Sequence, residues 1–207
     1  MYKLMGYNTQ NTMKALYVLE ELGVDYEFQL IDLSKGEQRS ESFLNLTPIG
    51  KVPVLSHENH TLFESGAICR YIANVENSQL YPQNKFERAQ VDQWMDFFSC
   101  HLGRWLSALY FEKVIKSMVG LGSADPKKCE DAIKFCEMHL PQVDKWLETH
   151  KYFANDKLSI ADLFAFAYIE QAYEIDFPLN NYKHLHQWFE EMKSKNSISQ
   201  AKKKFLK

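Results

Sequence analysis

From Tyr7 to Thr12 the chain reads Tyr-Asn-Thr-Gln-Asn-Thr, so every residue of this short stretch carries a hydroxyl or a carboxamide. Such groups donate hydrogen bonds to an anion, and a bond to a charged partner is worth about 1.5–3 kcal/mol. Turn formation and helix capping are the other chemistry that Thr and Asn favour. A second polar spot is Glu64-Ser65-Gly66, where a strand hands over to a helix. The first four N–H groups of a helix lack internal partners and attract anions. Ser65 can cap that helix, and Glu64 suits the positive end of its dipole. Metal chemistry has no such footing, because His57-x-x-His60 and His184-x-His186 lack a set of four ligands. The cysteines (Cys69, Cys100, Cys129, Cys136) show no Cys-x-x-Cys spacing and none lies in the Tyr7–Thr12 stretch. Cys69, inside a helical segment, reads as packing.

Two periodicities position these groups. Residues 1–76 alternate between strand and helix: a strand over 2–7, a helix over 12–22 stopped by Gly23, and a strand over 26–33. A short helix over 37–46 follows, ended by Thr47-Pro48, then a hairpin of 51–56 with 60–63 around Glu58-Asn59, and a helix over 65–75. The order β-α-β-α-β-β-α predicts an α/β domain. Residues 77–85 are polar with one proline and read as a linker, and 86–207 read as an all-helical domain. There Trp94, Phe97, Phe98, His101, Leu102, Trp105 and Leu109 form one apolar stripe, and Pro141 is expected to kink or break its helix near Leu140. Ser159 and Asp162 form a capping box, with Leu158 able to staple onto Leu163.

Composition sets outer limits. The 207 residues are 45% hydrophobic and 25% charged, with a formal net charge of −3, which excludes a basic nucleic-acid surface. The lysines at 202, 203, 204 and 207 read as a solvated basic tip. The apolar run 158–169 is too short to span a bilayer and carries Asp162. Without a secretory pattern or a disulfide framework, a reduced, cytoplasmic protein is expected.

Three segments together resemble the first domain of the glutathione transferase family: YNTQNTMKALYVLEELGVDYE (7–27), PIGKVPVL (48–55) and LFESGAICRYIA (62–73). SIADLFAFA (159–167) resembles the capping motif of the family's helical domain. The bacterial-type classes that use Thr, Ser or Asn near the first helix are the nearest pattern. The resemblance implies a thioredoxin-like first domain with a cis bond before Pro53, and glutathione as substrate with no metal. It implies that the Val52 backbone pairs with the cysteinyl unit of the tripeptide like an added strand. Glu64 and Ser65 would take its α-ammonium and α-carboxylate, and Lys51 and Gln38 its glycine carboxylate.

For catalysis, the spacing Thr9-x-Asn11 with Lys14 beyond it matches a class in which both side chains approach the sulfur. Tyr7 is the rival donor, by analogy with the tyrosine classes. A thiol with a pKa of about 8.5 is only about 3% thiolate at pH 7, and lowering it by about two units takes roughly 2.7 kcal/mol. One donor plus about 0.3–1 kcal/mol from a helix N-terminus covers this. The family reading adds a small hydrophobic electrophile held between the domains, with Phe98, His101, Leu102, Trp105 and Tyr110 as candidate lining. It also adds a homodimer with Arg70 and Trp94 near the two-fold axis. Two other activities fit the same fold: glutathione-dependent disulfide-bond reduction, and a non-catalytic binding or regulatory role.

Overall fold

The computed structural model describes residues 1–205, and the chain falls into two compact units. The first unit is built on strands β1 (Tyr2–Gly6), β2 (Tyr26–Leu30), β3 (Val54–His57) and β4 (His60–Phe63), with helices α1 (Gln10–Leu22), α2 (Glu41–Leu44) and α3 (Ser65–Val75). The sheet order is β2-β1-β3-β4, with β1 parallel to β2 and antiparallel to β3. This is the expected thioredoxin-like arrangement. Side chains alternate across a strand, so the register pair Met5–Val54 faces away from the pair Leu4–Leu55. Met5 and Val54 join Ile31 and Phe43 in a cluster under α2, while Leu4 and Leu55 are buried on the face of α1 and α3.

Local signals explain most boundaries. Gly23 takes the left-handed conformation (φ 64°) and its N–H closes α1 onto the Glu20 carbonyl. The single helix expected over 37–46 is replaced by a short 3₁₀ turn, Glu37–Arg39, and the four-residue α2, and another 3₁₀ turn, Leu33–Lys35, precedes them. Gly36 at φ 74° and extended Ser40 interrupt the helical path, and Ser40 Oγ restarts it by accepting from the Phe43 N–H at 3.3 Å. The first hairpin strand begins later than expected, at Val54, just after the cis Val52–Pro53 bond, and the second spans His60–Phe63 as expected.

The last helix, α10 (Asn196–Lys203), packs along α1 and so groups with the first unit, although it follows the helical stretch in sequence. Lys195 Nζ meets Glu21 Oε1 and Lys204 Nζ meets Glu20 Oε1, each at 3.4 Å, and Ser197 Oγ donates to Glu21. The basic tip is thus partly a docked helix, with Lys207 outside the described residues.

The second unit, Pro82–Lys193, contains α4 (Lys85–Cys100), α5 (Leu102–Tyr110), α6 (Lys116–Met118), α7 (Pro126–Thr149), α8 (Ile160–Glu174) and α9 (Lys183–Lys193). The stripe read as continuous is split at His101 (φ −117°, ψ −96°). Gly103 permits the break, since a Cβ there would lie 2.4 Å from the Phe98 carbonyl oxygen. A π-helical turn, Phe111–Ile115, joins α5 to α6. α7 runs through Pro141 without ending at Leu140. Pro141 and Glu137 both lie on the exposed side, so the carbonyl that loses its partner is open to water. α8 is buried over nearly its whole circumference, as a central helix must be. Its capping box forms as expected, with Ser159 N and Oγ donating to Asp162 Oδ2 at 2.9 and 2.8 Å.

Candidate active site

Thr9 is the N-cap of α1, in extended conformation (φ −132°, ψ 149°), and its Oγ1 accepts from the Thr12 N–H at 3.4 Å. The two hydroxyl oxygens, Thr9 Oγ1 and Thr12 Oγ1, are 3.1 Å apart. Thr12 Oγ1 accepts in turn from the Tyr7 N–H at 3.4 Å. Thr12 is fully buried, Thr9 and Tyr7 are half-buried, and Tyr7 directly follows the end of β1. The hydroxyl-rich turn is therefore a capping structure, and its hydroxyls still carry hydrogens to donate.

Asn11 connects this turn to the start of α3. Its Oδ1 accepts from Lys14 Nζ at 2.9 Å and from Ser65 Oγ at 3.4 Å. With its carbonyl end held by two donors, the amide NH₂ is the end turned to other partners. Lys14 is fully buried in α1, and burial pulls its pKa well below the ordinary lysine range against the opposing pull of Cys69 and Glu64. Cys69 is also fully buried, and burial pushes its thiol up to about 12, which fits packing and not nucleophilic work.

Ser65 differs from expectation in one respect. The N-cap of α3 is Glu64, whose side chain makes no cap hydrogen bond, and Ser65 is the first helical residue with its hydroxyl turned to Asn11. The helix therefore starts without a cap from its own N-cap side chain. Glu64 sits at φ 70°, ψ 111°, a conformation non-glycine residues rarely hold, and its side chain is exposed. Strain of this kind costs of order 1–3 kcal/mol and collects where geometry serves a ligand.

The remaining expected residues lie on two adjacent loops. Lys51 is exposed ahead of β3, and Val52, which precedes the cis bond, packs against the Met5–Ile31–Phe43–Val54 cluster. Gln38 lies in the second 3₁₀ turn, with its Oε1 buried and without a hydrogen-bond partner among the described residues. Its backbone oxygen comes within 3.0 Å of where a Cβ on Gly50 would sit, so Gly50 (φ 58°) lets the Gln38 turn close on the loop that carries Lys51. Asn11 and Ser65 are thus joined directly, Thr9 is bonded to Thr12 in the same turn, and Gln38 and Lys51 form a separate neighbourhood. A cavity of about 580 Å³ lies elsewhere, on the α2 face of the sheet, and none of these residues lines it.

In the second unit, Phe98 and Leu102 are fully buried and serve as core, contrary to a lining role. His101 is exposed, Trp105 stacks on Phe135 at 4.3 Å, and Trp94 packs among Phe97, Phe98, Trp146 and Phe153. Among the described residues no cluster of His, Cys, Asp and Glu suits a metal, and no helix is long and apolar enough to cross a membrane.

Gly6 and Thr12 carry weight that residue types alone did not signal. A Cβ on Gly6 would lie 2.4 Å from Thr12 Cγ2 and 2.8 Å from its Oγ1. Thr12 is β-branched and buried, so it cannot swing aside. Gly6→Ala is expected to cost about 1–3 kcal/mol in urea unfolding. In a Thr12→Ala background the same change is expected to cost clearly less, and equal costs in both backgrounds would contradict the contact.

Family models described as "Glutathione S-transferase, N-terminal domain" and "Glutathione S-transferase, C-terminal domain" match residues 1–74 and 121–196. The chain is 31% identical over 205 residues to "Glutathione S-transferase hmp2" of Hypomyces subiculosus, covering 96% of each protein. The crystal structure of glutathione transferase F7 from Populus trichocarpa matches with a TM-score of 0.92 at 27% identity, covering 98% of each chain. Glutathione S-transferase I from Mais, in complex with an atrazine glutathione conjugate, matches with a TM-score of 0.89 at 29% identity, covering 97% of this chain and 95% of that one. The likeness is to fungal and plant F-type (Phi-class) proteins, which corrects the bacterial-type class expected from Thr9-x-Asn11. A spacing within one turn is too short to separate classes that whole-chain similarity distinguishes.

Proposed function

The chain belongs to the glutathione S-transferase family, and from that premise we propose that it joins the thiol of glutathione to a small hydrophobic electrophile. The observation that carries this reading is the 3.4 Å bond from Ser65 Oγ to Asn11 Oδ1, which brings the start of α1, where Thr9 is the N-cap, to the start of α3. Thr9 Oγ1–H donates to the sulfur, and the Asn11 amide is the second donor. The N-terminus of α3, with Ser65, receives the γ-glutamyl α-carboxylate, and Glu64 receives the α-ammonium. The Val52 backbone pairs with the cysteinyl unit, and Lys51 with Gln38 receives the glycine carboxylate. The orphaned Gln38 Oε1 is suited to an amide N–H of the same tripeptide.

The chemistry needs little beyond this. The thiol proton passes to solvent as the donors stabilise the thiolate, and the sulfur lone pair forms the new bond to the electrophilic carbon. A leaving group departs with its electron pair, or the adduct takes up a proton. The bound conjugate in the Mais enzyme supports this reaction class.

Residues 1–76 are the glutathione-binding domain in this reading, 77–85 the linker and 86–207 the helical stretch that contributes the electrophile side, with its last helix, α10, grouped with the first unit. The protein works in the cytoplasm as a homodimer, with α3 (Arg70) and α4 near the two-fold axis. Titration calorimetry with glutathione, followed by turnover of an activated chloronitroarene and of a small disulfide, tests the function. Saturable binding with conjugation of the arene is the expected result. No heat at millimolar glutathione would end the reading. Binding with turnover of the disulfide alone would convert it to an oxidoreductase, and binding without turnover would leave a binding protein.

A further inference from the structure

Thr12 is a fully buried threonine whose side-chain oxygen lies between two polar groups of the site turn, and this placement is built in on both sides. From below, the end of β1 closes on it so tightly that only glycine fits at position 6, where a Cβ would lie 2.8 Å from Thr12 Oγ1. From above, Thr9 Oγ1 sits 3.1 Å away. A hydroxyl has one hydrogen to donate and two lone pairs to accept with. Thr12 Oγ1 accepts from the Tyr7 N–H with one lone pair, and either hydroxyl of the Thr9–Thr12 pair can donate to the other. When Thr12 donates, Thr9 Oγ1 accepts twice, from the Thr12 hydroxyl and from the Thr12 N–H, which fills its lone pairs. In that arrangement its own hydrogen points away from the helix.

We propose that Thr12 is a positioning residue that turns the Thr9 hydroxyl hydrogen toward the incoming glutathione sulfur. The proposal rests on the assignment of Thr9 as the thiol donor. Thr12 does not touch the substrate, and it acts by donating to Thr9 Oγ1 when a thiolate takes the Thr9 hydrogen. The chain Tyr7 N–H to Thr12 to Thr9 also polarises each bond in turn, which makes Thr9 a stronger donor to an anion. A thiolate selects this orientation and a neutral thiol does not require it. The effect therefore falls on thiol ionisation and spares glutathione affinity.

The test is an ultraviolet titration of enzyme-bound glutathione thiolate against pH, run beside kcat/KM profiles and calorimetric Kd values. Thr12→Val keeps the β-branched shape and removes only the hydroxyl. It is expected to raise the titration midpoint by about half to one pH unit, leaving about three- to tenfold less thiolate and lower kcat/KM near neutral pH. Kd stays within twofold, and the rate converges with wild type at alkaline pH. Thr12→Ser keeps the hydroxyl and restores the wild-type titration even if it lowers the melting temperature. Thr12→Ala repeats the loss with a smaller side chain, should valine fold poorly. A wild-type titration in both Thr12→Val and Thr12→Ala overturns the proposal, as does a shift in Thr12→Ser equal to theirs. Thr9→Val separates the two levels of argument. If its titration is also unshifted, the assignment of Thr9 falls and the proposal with it. If Thr9→Val shifts and Thr12→Val does not, only the role of Thr12 falls.

Discussion

Replacing Thr9 with alanine is expected to lower kcat/KM for conjugation about 10- to 100-fold near neutral pH, with the glutathione Kd changed no more than about threefold. A hydrogen bond to an ionised partner contributes about 1.5–3 kcal/mol, and each 1.36 kcal/mol is a decade in rate. The bond exists only once the sulfur carries charge, so its loss falls on thiolate formation and transition-state stabilisation more than on ground-state binding. The alanine variant also loses the N-cap of α1, since Thr9 Oγ1 accepts from the Thr12 N–H. That loss costs about 0.5–2 kcal/mol of stability and needs its own control. Thr9→Ser keeps both cap and donor and is expected to stay near wild type. Thr9→Asp keeps the cap but sets a negative charge beside the sulfur, so it should be folded and less active than alanine. The rivals are measured in parallel. Tyr7→Phe is expected to leave the bound-thiol titration in place. Asn11→Ala should weaken binding as well as ionisation, because Asn11 also holds Ser65 and Lys14. An unshifted titration in Thr9→Ala with a large shift in Tyr7→Phe would transfer the role to Tyr7.

What the sequence discloses about this molecule depends on how local the governing interaction is. Gly23 as a helix stop and the Ser159–Asp162 capping box are decided within one turn, and both are where residue types place them. Ser65 shows the limit. Its position at the head of α3 is legible, but its hydroxyl is drawn to Asn11, a partner 54 residues away, and no local rule ranks that contact above capping. The break at His101 depends on Phe98 and Tyr168 crowding Gly103, which is likewise a tertiary fact. Pro141 fails to break α7 because its helix face looks to water, which the local sequence does not announce. α10 leaves the helical unit because its cap region offers Lys195 and Ser197 to Glu21. One further signal was present and easy to pass over. Lys14 is the one ionisable amine in the buried run from Thr12 to Leu19, and such a residue on a core face marks a site.

Asp162→Ala is expected to remove about 3–5 kcal/mol of stability at pH 7, measured by urea unfolding, which is the largest single loss foreseen outside the site. The carboxylate is fully buried and accepts from three donors: Phe153 N–H at 2.9 Å through Oδ1, and Ser159 N–H at 2.9 Å and Oγ at 2.8 Å through Oδ2. Alanine strands at least two backbone N–H groups inside the protein, each costing about 1–3 kcal/mol. Asparagine returns one acceptor but turns its NH₂ toward a donor, so an intermediate loss is expected. The pH dependence of this loss identifies the cause. Burial raises the Asp162 carboxyl to about 6, above the ordinary aspartate value, despite the opposing pull of the bonds it accepts. The folded state therefore holds this proton in a window, about pH 4 to 6, where the unfolded chain has released it. Stability from this group is greatest below about pH 4, falls as pH rises toward 6, and is level above. The gap between wild type and Asp162→Ala should accordingly widen by up to about 3 kcal/mol on going from pH 7 to pH 4. A gap that stayed flat or narrowed over that range would mean that Asp162 is solvated in the folded protein and that its capping box carries less of α8 than its geometry implies.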